Sequence, residues 1–308
     1  NSKRTLSVAD NTSETSTQVT YEGRLIHTAA WKDHQTSLTG VFQMQERTFT
    51  PISSVLNGMP QRNMTFSMRG SYGYKDRYFI EGSFGYNGSE NFASGNRFGF
   101  FPAGAIGWIV SNEKFMGGVT HIIDMLKLKA SIGQSGNDEI GGGRRFVYLP
   151  TIVGAYGTYW GTSHTYTGGT AVGEYANEDV SWEVSTKTNV GFELSLFNAL
   201  RLQADYFYER RKGIFVQRQS LPDYVGVSTM PWSNVGKMQN QGIDATLEFD
   251  KSFGEFFLSA RGTFTYARNK QIDNDQPDYI DKYRNRNGQK YGQQFGLIAL
   301  GLFKDETE

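Results

Sequence analysis

Apolar and polar side chains alternate with a period of two along most of this chain, and helical periodicity is almost absent. Between residues 63 and 74, Met64, Phe66, Met68, Tyr72 and Tyr74 share one face, while Thr65, Ser67, Arg69 and Ser71 share the other. After Lys75 and Asp76 the pattern restarts, with Tyr78, Ile80, Phe84 and Tyr86 against Glu81, Ser83 and Asn87. Two such stretches joined by a short polar break make a hairpin with one apolar and one polar face. The same alternation over 21–31, 36–46, 99–110, 126–133, 186–196, 200–209, 241–250 and 255–267 brings the expectation to about ten strands. Most run to about ten to twelve residues. A tilted strand needs roughly 9–11 to cross a bilayer, whereas an average soluble strand has roughly 5–6.

The predicted connections fall into two classes. Short ones lie at 32–35, 75–77, 197–199 and 250–255, with a somewhat longer one at 112–124; long ones lie at 47–62, 88–98, 134–180, 213–238 and 270–292. The classes alternate strictly, as expected of an outer-membrane barrel with short periplasmic turns and long external loops. Trp31, Tyr74, Tyr78, Phe197, Phe253, Phe256 and Phe257 gather at the short turns, where an interfacial girdle belongs. Ordinary cross-strand pairing of aromatics gives a similar placement. A mean hydropathy of −0.50 fits a soluble protein and equally a barrel whose every second strand residue faces a polar lumen. No apolar run reaches the roughly 18 residues of a membrane helix. An open sheet edge in lipid leaves backbone groups unsatisfied, so further strands are expected on both sides of this set. The opening Asn1, Ser2, Lys3 and Arg4 lack a start methionine and an apolar leader, and a mature or truncated product is expected. The last residues, 304–308, are expected to lie in a loop.

Zero formal net charge argues against a nucleic-acid partner, which leaves a basic footprint. Absent cysteine excludes a disulfide scaffold and any thiolate-bound metal. His27, His34, His121 and His164 show no metal-ligand spacing. The triglycine 141–143 is followed by Arg144 rather than Lys and Ser or Thr, so it reads as a loop and not a phosphate cradle. Asn137, Asp138 and Glu139 lack the ordered oxygen spacing of a calcium loop. The sequons at Asn11, Asn63 and Asn87 are expected to be unmodified in a bacterial outer membrane. No enzyme, metal site or cofactor is expected.

Several segments are specific enough to compare with a family. Asn87-Gly-Ser-Glu-Asn-Phe-Ala-Ser-Gly-Asn-Arg-Phe-Gly-Phe-Phe-Pro-Ala-Gly-Ala-Ile-Gly-Trp108, running on to Glu113-Lys-Phe-Met116, resembles a hallmark of the SusC/RagA-like TonB-dependent transporters. Leu126-Lys-Leu-Lys-Ala-Ser-Ile-Gly-Gln-Ser-Gly-Asn-Asp138 resembles the segment that follows it. Trp182-Glu183, Thr186-Lys-Thr-Asn-Val-Gly-Phe-Glu193 and Asp205-Tyr-Phe-Tyr-Glu-Arg-Arg-Lys212 are similar to the next hairpin. Asn234-Val-Gly-Lys-Met-Gln-Asn-Gln-Gly-Ile-Asp244, Tyr291-Gly292 and Gly301-Leu-Phe-Lys-Asp-Glu306 are similar to later ones, in the family's order. Residues 1–86 match by hairpin pattern more than by motif. The resemblance implies an all-β, transmembrane, antiparallel up-and-down β-barrel, with about ten strands here out of 22 in the whole barrel. It implies that residues 1–308 are part of a TonB-dependent-receptor barrel domain, whose plug domain, N-terminal region and last strands are absent from this chain. It further implies active uptake of oligomeric glycan or peptide fragments across the outer membrane, with a SusD-like surface lipoprotein and the TonB complex as partners. A passive porin-like or adhesin barrel is the alternative, and a soluble carbohydrate-binding sandwich a third that the strand lengths contradict. The family's best-defined functional residues belong to the absent parts, so none is carried over.

Two groups of residues stand out as site candidates. The 134–180 connection holds Tyr148, Tyr156, Tyr159, Trp160 and Tyr166 among Gly, Thr and Ser, a composition that suits sugar rings or peptide side chains. Packing of these rings against the barrel mouth or a partner lid is the expected role, with substrate contact as the alternative. Glu81, Lys127, Lys129, Glu193, Arg201, Asp205 and Arg261 are expected to face the lumen, because a charge on the lipid side costs about 2–4 kcal/mol at midplane.

Overall fold

The computed structural model describes residues 15–50, 55–141, 144–227, 229–299 and 301. The Asn11 sequon, Gly142, Gly143 and the 304–308 stretch lie outside them. Twelve strands form: β1 (Thr15–Trp31), β2 (His34–Thr50), β3 (Gln61–Tyr74), β4 (Tyr78–Ser89), β5 (Phe98–Ile109), β6 (Ile123–Asn137), β7 (Ile152–Trp160), β8 (Thr165–Val172), β9 (Glu183–Leu196), β10 (Leu200–Gln217), β11 (Trp232–Phe253) and β12 (Phe256–Asp273). A four-residue helix, Val55–Gly58, precedes β3. Ten strands build one sheet in the order β1-β2-β3-β4-β5-β6-β9-β10-β11-β12, every neighbour antiparallel, and β7 and β8 pair separately. The order follows the chain without crossovers, as an up-and-down barrel wall requires. The sheet is open, with β1 and β12 at its edges.

The register carries the predicted alternation across all ten strands. Gly23, Phe42, Phe66, Tyr86 and Phe100 form one continuous cross-strand row, and Ile106, Ala130, Val190, Tyr206, Ile243 and Tyr266 another. Opposed residues in antiparallel strands share a face, so these rows give the sheet one aromatic and aliphatic surface. Phe100, Ile106, Phe264 and Tyr266 are among its exposed members. A sheet that leaves large apolar side chains exposed from edge to edge is built for lipid rather than water.

Strands exceed the predicted lengths mainly at the long-loop end. β11 has 22 residues, well beyond the roughly 9–11 needed to span a bilayer, so it extends past the membrane at that end. The strict alternation of connection lengths does not hold. The 110–122 connection at the short-turn end is longer than the 90–97 connection at the other. It folds into two 3-10 turns, Val110–Asn112 and Lys114–Met116. Glu113 fastens it, accepting hydrogen bonds from the Tyr78 hydroxyl and from Trp108 Nε1 (3.2 Å), with Arg77 at 3.3 Å. The Tyr78 hydrogen bond, ahead of those of Trp108 and Arg77, holds the Glu113 carboxyl below the usual carboxylate range against a smaller upward pull from burial. Aromatics line the apolar side of this end, with Trp31 stacked on His34 and Tyr78 on Trp108.

The buried core lies at the long-loop end. Phe92, Ile140, Val147, Val180 and Phe215 pack together, with Trp182 and Trp232 against them. These residues come from the 90–97 connection, the 138–182 connection, the upper end of β10 and the first residue of β11. Arg145 ties in the 55–60 segment: its guanidinium donates to the carbonyls of Met59 (2.7 Å), Pro60 (2.9 Å) and Leu56 (3.4 Å). Burial lowers its pKa from the ordinary arginine value, although Glu90 opposes this. Asn234 locks the other side, donating to Ser181 O and Gly213 O and accepting from Ser181 N.

Candidate functional site

The seven charged residues singled out in the sequence all fall on the polar face, opposite the aromatic rows. Six of them meet in two clusters. Lys127, Glu193 and Gln203 share one cross-strand row, and Lys129, Gly191 and Asp205 share the next. Lys129 Nζ stands 3.2 Å from Glu193 and 3.1 Å from Asp205, and Lys127 Nζ stands 3.7 Å from Glu193. Gly191 makes the second contact possible. It sits between Lys129 and Asp205, and a Cβ there would press on the Asp205 carboxylate and lie 2.7 Å from Ala204 O. Without one, Asp205 leans across β9 to Lys129 instead of facing Asp244, its like-charged cross-strand neighbour on β11. The second cluster is the row Arg201, Glu248 and Arg261, in which Glu248 lies 3.9 Å from Arg201 and 3.3 Å from Arg261. The seventh residue, Glu81, pairs with Arg69 at 2.6 Å. Higher on the same face, Arg211 bridges Glu183 and Glu209, both at 3.1 Å. The polar face is therefore largely self-compensated.

The second group of candidates separates. Residues 134–180 were expected to be a loop, yet Ile152–Trp160 and Thr165–Val172 form a hairpin. Four of the five aromatics lie on it, with Tyr159 opposite Tyr166 and Trp160 opposite Thr165. On this hairpin the rings are exposed: Tyr156 101%, Tyr159 65%, Trp160 63% and Tyr166 52%. The Tyr159 and Tyr166 rings lie 5.3 Å apart, and the Tyr166 hydroxyl accepts from Gly157 N at 3.0 Å. Only Tyr148 packs below the hairpin, edge-on to the buried Phe146. The base of the hairpin is clamped. Arg144 pairs with Glu174 at 3.4 Å and covers the Trp232 ring at 4.2 Å, and that ring stacks on Phe215. From Phe146 to Gly173 the chain contains no Asp, Glu, Lys or Arg, although charged residues make up 20% of the whole. That uninterrupted neutrality was the available sequence signal for a distinct element.

Among the described residues no group of His, Asp and Glu is arranged to hold a metal ion. Among the described residues no helix is long and apolar enough to cross a membrane, which leaves crossing by strands open.

Comparison with known proteins agrees with this architecture. The family model for the TonB dependent receptor-like β-barrel matches residues 2–302. TonB-dependent receptor P3 of Formosa agariphila is 28% identical over 216 residues, covering 70% of this chain and 21% of that protein. TonB-dependent receptor SusC of Bacteroides thetaiotaomicron is 28% identical over 196 residues, covering 60% of this chain and 18% of that protein. Among solved structures, the RagAB peptide importer in its closed-closed state superposes with a TM-score of 0.66 at 19% identity, covering 84% of this chain and 30% of that one. The siderophore receptor PirA of Pseudomonas aeruginosa gives 0.52 at 13% identity, covering 84% and 45%. The chain thus spans about a fifth of the length of the curated relatives it matches. It belongs to the TonB dependent receptor-like β-barrel family and forms part of an outer-membrane barrel wall.

Proposed function

We propose that this wall belongs to an active importer of oligomeric nutrients, glycan or peptide fragments, which works beneath a SusD-like surface lipoprotein and draws energy from TonB. The observation that carries the reading is the contrast between the two faces and the two ends of one sheet. The self-compensated polar face, with Glu81, Lys127, Lys129, Glu193, Arg201, Asp205 and Arg261, lines the lumen around a plug supplied by residues outside this chain. Ion pairs that satisfy one another let a wall stay polar without gripping a passing solute. The short-turn end lies in the periplasm and the long-loop end outside the cell. There the neutral hairpin presents Tyr156, Tyr159, Trp160 and Tyr166 to solute or to the lid, with Tyr148 supporting its base. The names of SusC and the RagAB peptide importer among the similar proteins support this assignment.

The test is made on the full-length protein in its own outer membrane. Purification through a tag on the barrel should bring down a surface lipoprotein encoded beside it. Replacing Tyr159, Trp160 and Tyr166 together by alanine should reduce uptake of the native oligomer at least tenfold while the barrel still resists SDS without heating. Unchanged uptake by that variant removes the hairpin from the transport path. Uptake that persists without TonB defeats energy coupling.

A further inference from the structure

Five cations stand on the apolar side of β10–β12, at and just beyond the last aromatic row at the long-loop end. The register gives four successive levels on this face. Tyr206, Ile243 and Tyr266 form the first, and Tyr208, Gln241 and Arg268 the second. Arg210, Gln239 and Lys270 form the third, and Lys212, Lys237 and Asp273 the fourth. Within about 7 Å of strand, at roughly 3.4 Å per residue, the surface changes from aromatic to cationic. Asp273 is the only acid in the patch and is taken by Lys237 at 3.1 Å. Arg210 and Lys212, on the inner strand β10, and Arg268 and Lys270, on the edge strand β12, are exposed and have no ion-pair partner among the described residues. Arg211, between two of them in sequence, points to the other face and is held there by Glu183 and Glu209. The contrast with β2–β4 is sharp. At the matching rim, Arg62 is matched by Glu46 at 2.7 Å and Glu90 at 3.8 Å.

From this geometry we infer that the rim of β10–β12 binds the phosphate groups of an outer-leaflet lipid. Tyrosines at the membrane interface fix the depth of the strands, and the cations directly above them stand where acyl chains give way to headgroups. Unpaired arginines and lysines in that layer attract anionic headgroups. Arg210 and Lys270 flank Gln239 from adjacent strands, so their backbones lie about 10 Å apart at roughly 4.8 Å per strand. Lys212 extends the patch above that line and Arg268 below it. The spacing suits a headgroup carrying more than one phosphate, with the acyl chains lying along Tyr206, Ile243 and Tyr266. A lumenal ligand is kept from this face, because it lies on the side of the sheet opposite the polar rows. The inference rests on the orientation proposed above, with the apolar face to lipid and the long-loop end outward.

The experiment uses the full-length transporter in an uncharged detergent, with native mass spectrometry to count bound lipid. Three probes are compared: bisphosphorylated lipid A, the same lipid after removal of its phosphates, and inorganic pyrophosphate. Wild type should retain the phosphorylated lipid and lose it when the phosphates are removed. The R210Q/K212Q/R268Q/K270Q variant should bind it about fivefold more weakly for each cation removed. A K32Q/K75Q variant at the short-turn end should bind it as wild type does. Equal binding of phosphorylated and dephosphorylated lipid overturns the proposal using wild type alone, even if the quadruple variant fails to fold. Pyrophosphate displacing the lipid at equal concentration also overturns it, because the site then recognises free phosphate. Orientation is read separately, from labelling of Ser163→Cys on intact cells by a membrane-impermeant maleimide. No labelling there defeats the transport reading's topology, whereas labelling with no lipid retention defeats only the lipid site.

Discussion

Replacing Gly136 by alanine tests whether the long-loop core is held by side-chain fit. Phe101 is 6% exposed and its ring lies in a slot floored by two glycines. A Cβ at Gly136 would stand 2.6 Å from Phe101 Cε2, and one at Gly99 would stand 2.8 Å from the same atom. Carbons in contact relax to roughly 3.5–4.0 Å, and Phe101 Cζ lies nearer still to the added Cβ, so the ring must retreat by about 1.5 Å. The Trp182 ring blocks that retreat, standing edge-on with centroids 5.3 Å apart, and its indole N–H is fixed to Arg97 O at 3.2 Å. Overpacking of this kind costs about 1–3 kcal/mol; complete loss of a buried phenylalanine, roughly 3–5 kcal/mol, sets the ceiling. Gly136→Ala is therefore expected to cost about 2 kcal/mol, expressed as earlier thermal unfolding and faster trypsin cleavage within residues 138–182. Adding Phe101→Leu should recover at least half of the loss, a coupling within the roughly 0.5–3 kcal/mol seen between touching residues. Unchanged cleavage and unfolding in Gly136→Ala, or strict additivity in the double variant, would refute the packing argument.

Other perturbations have equally defined outcomes. Lys129→Gln removes the cation shared by Glu193 and Asp205 and should cost about 1–2 kcal/mol in urea unfolding of the full-length protein, while Lys127→Gln, with one pair at 3.7 Å, should cost less; equal losses would contradict the shared-cation reading. Arg145→Lys should free the 55–60 segment to proteases as fully as Arg145→Ala does, because a single ammonium cannot reproduce three carbonyl bonds from one guanidinium fork; rescue by lysine would count against it. Burial raises the Asp275 pKa, but hydrogen bonds from Arg218, Gln219 N, Ser220 N and the Ser220 hydroxyl outweigh it and hold the carboxyl below its ordinary value. A depressed folded pKa gives stability that is complete above the unfolded value near 3.9 and is lost as pH falls through the folded one. A spin label at Tyr224→Cys should accordingly stay restrained from pH 7 to about 4 and loosen below that. In Asp275→Asn it should be loose throughout, and loosening between pH 6 and 5 in the unaltered background would contradict the assignment.

Strand number and phase were legible because each residue of the wall meets one of two solvents, and a one-residue slip exchanges them. That is why Lys127, Lys129 and Glu193 could be placed on one face from alternation alone. The β7–β8 hairpin was not legible because its two faces do not differ in polarity. Thr158, Tyr159 and Trp160 follow one another without alternation, and the pairing is interrupted between Ala155 and Thr158. The long-loop core was hidden for another reason. Phe92, Val147, Val180 and Phe215 come from distant segments and share no periodicity. The length of the 110–122 connection misled because Glu113 folds it tightly against Tyr78 and Trp108. The role of Gly191 could not be read from its own residue type; it depends on Lys129 and Asp205 standing at either side in the register. The cationic rim escaped notice because Arg210, Arg211 and Lys212 are contiguous, and only the pairing shows that the middle one points the other way.

Site-directed labelling along β6 and β9 tests the central account most directly. Cysteines placed singly at residues 127 to 131 and at 189, 190, 192 and 193 of the full-length transporter, in its own membrane, are scored for quenching by a lipid-soluble agent and for reaction with a water-soluble one. The account predicts strict alternation, with positions 128, 130, 190 and 192 quenched from lipid and positions 127, 129, 131, 189 and 193 shielded from it. Absent alternation, or alternation in the opposite phase, would contradict a wall with its aromatic face to lipid and its ion-paired face to the lumen.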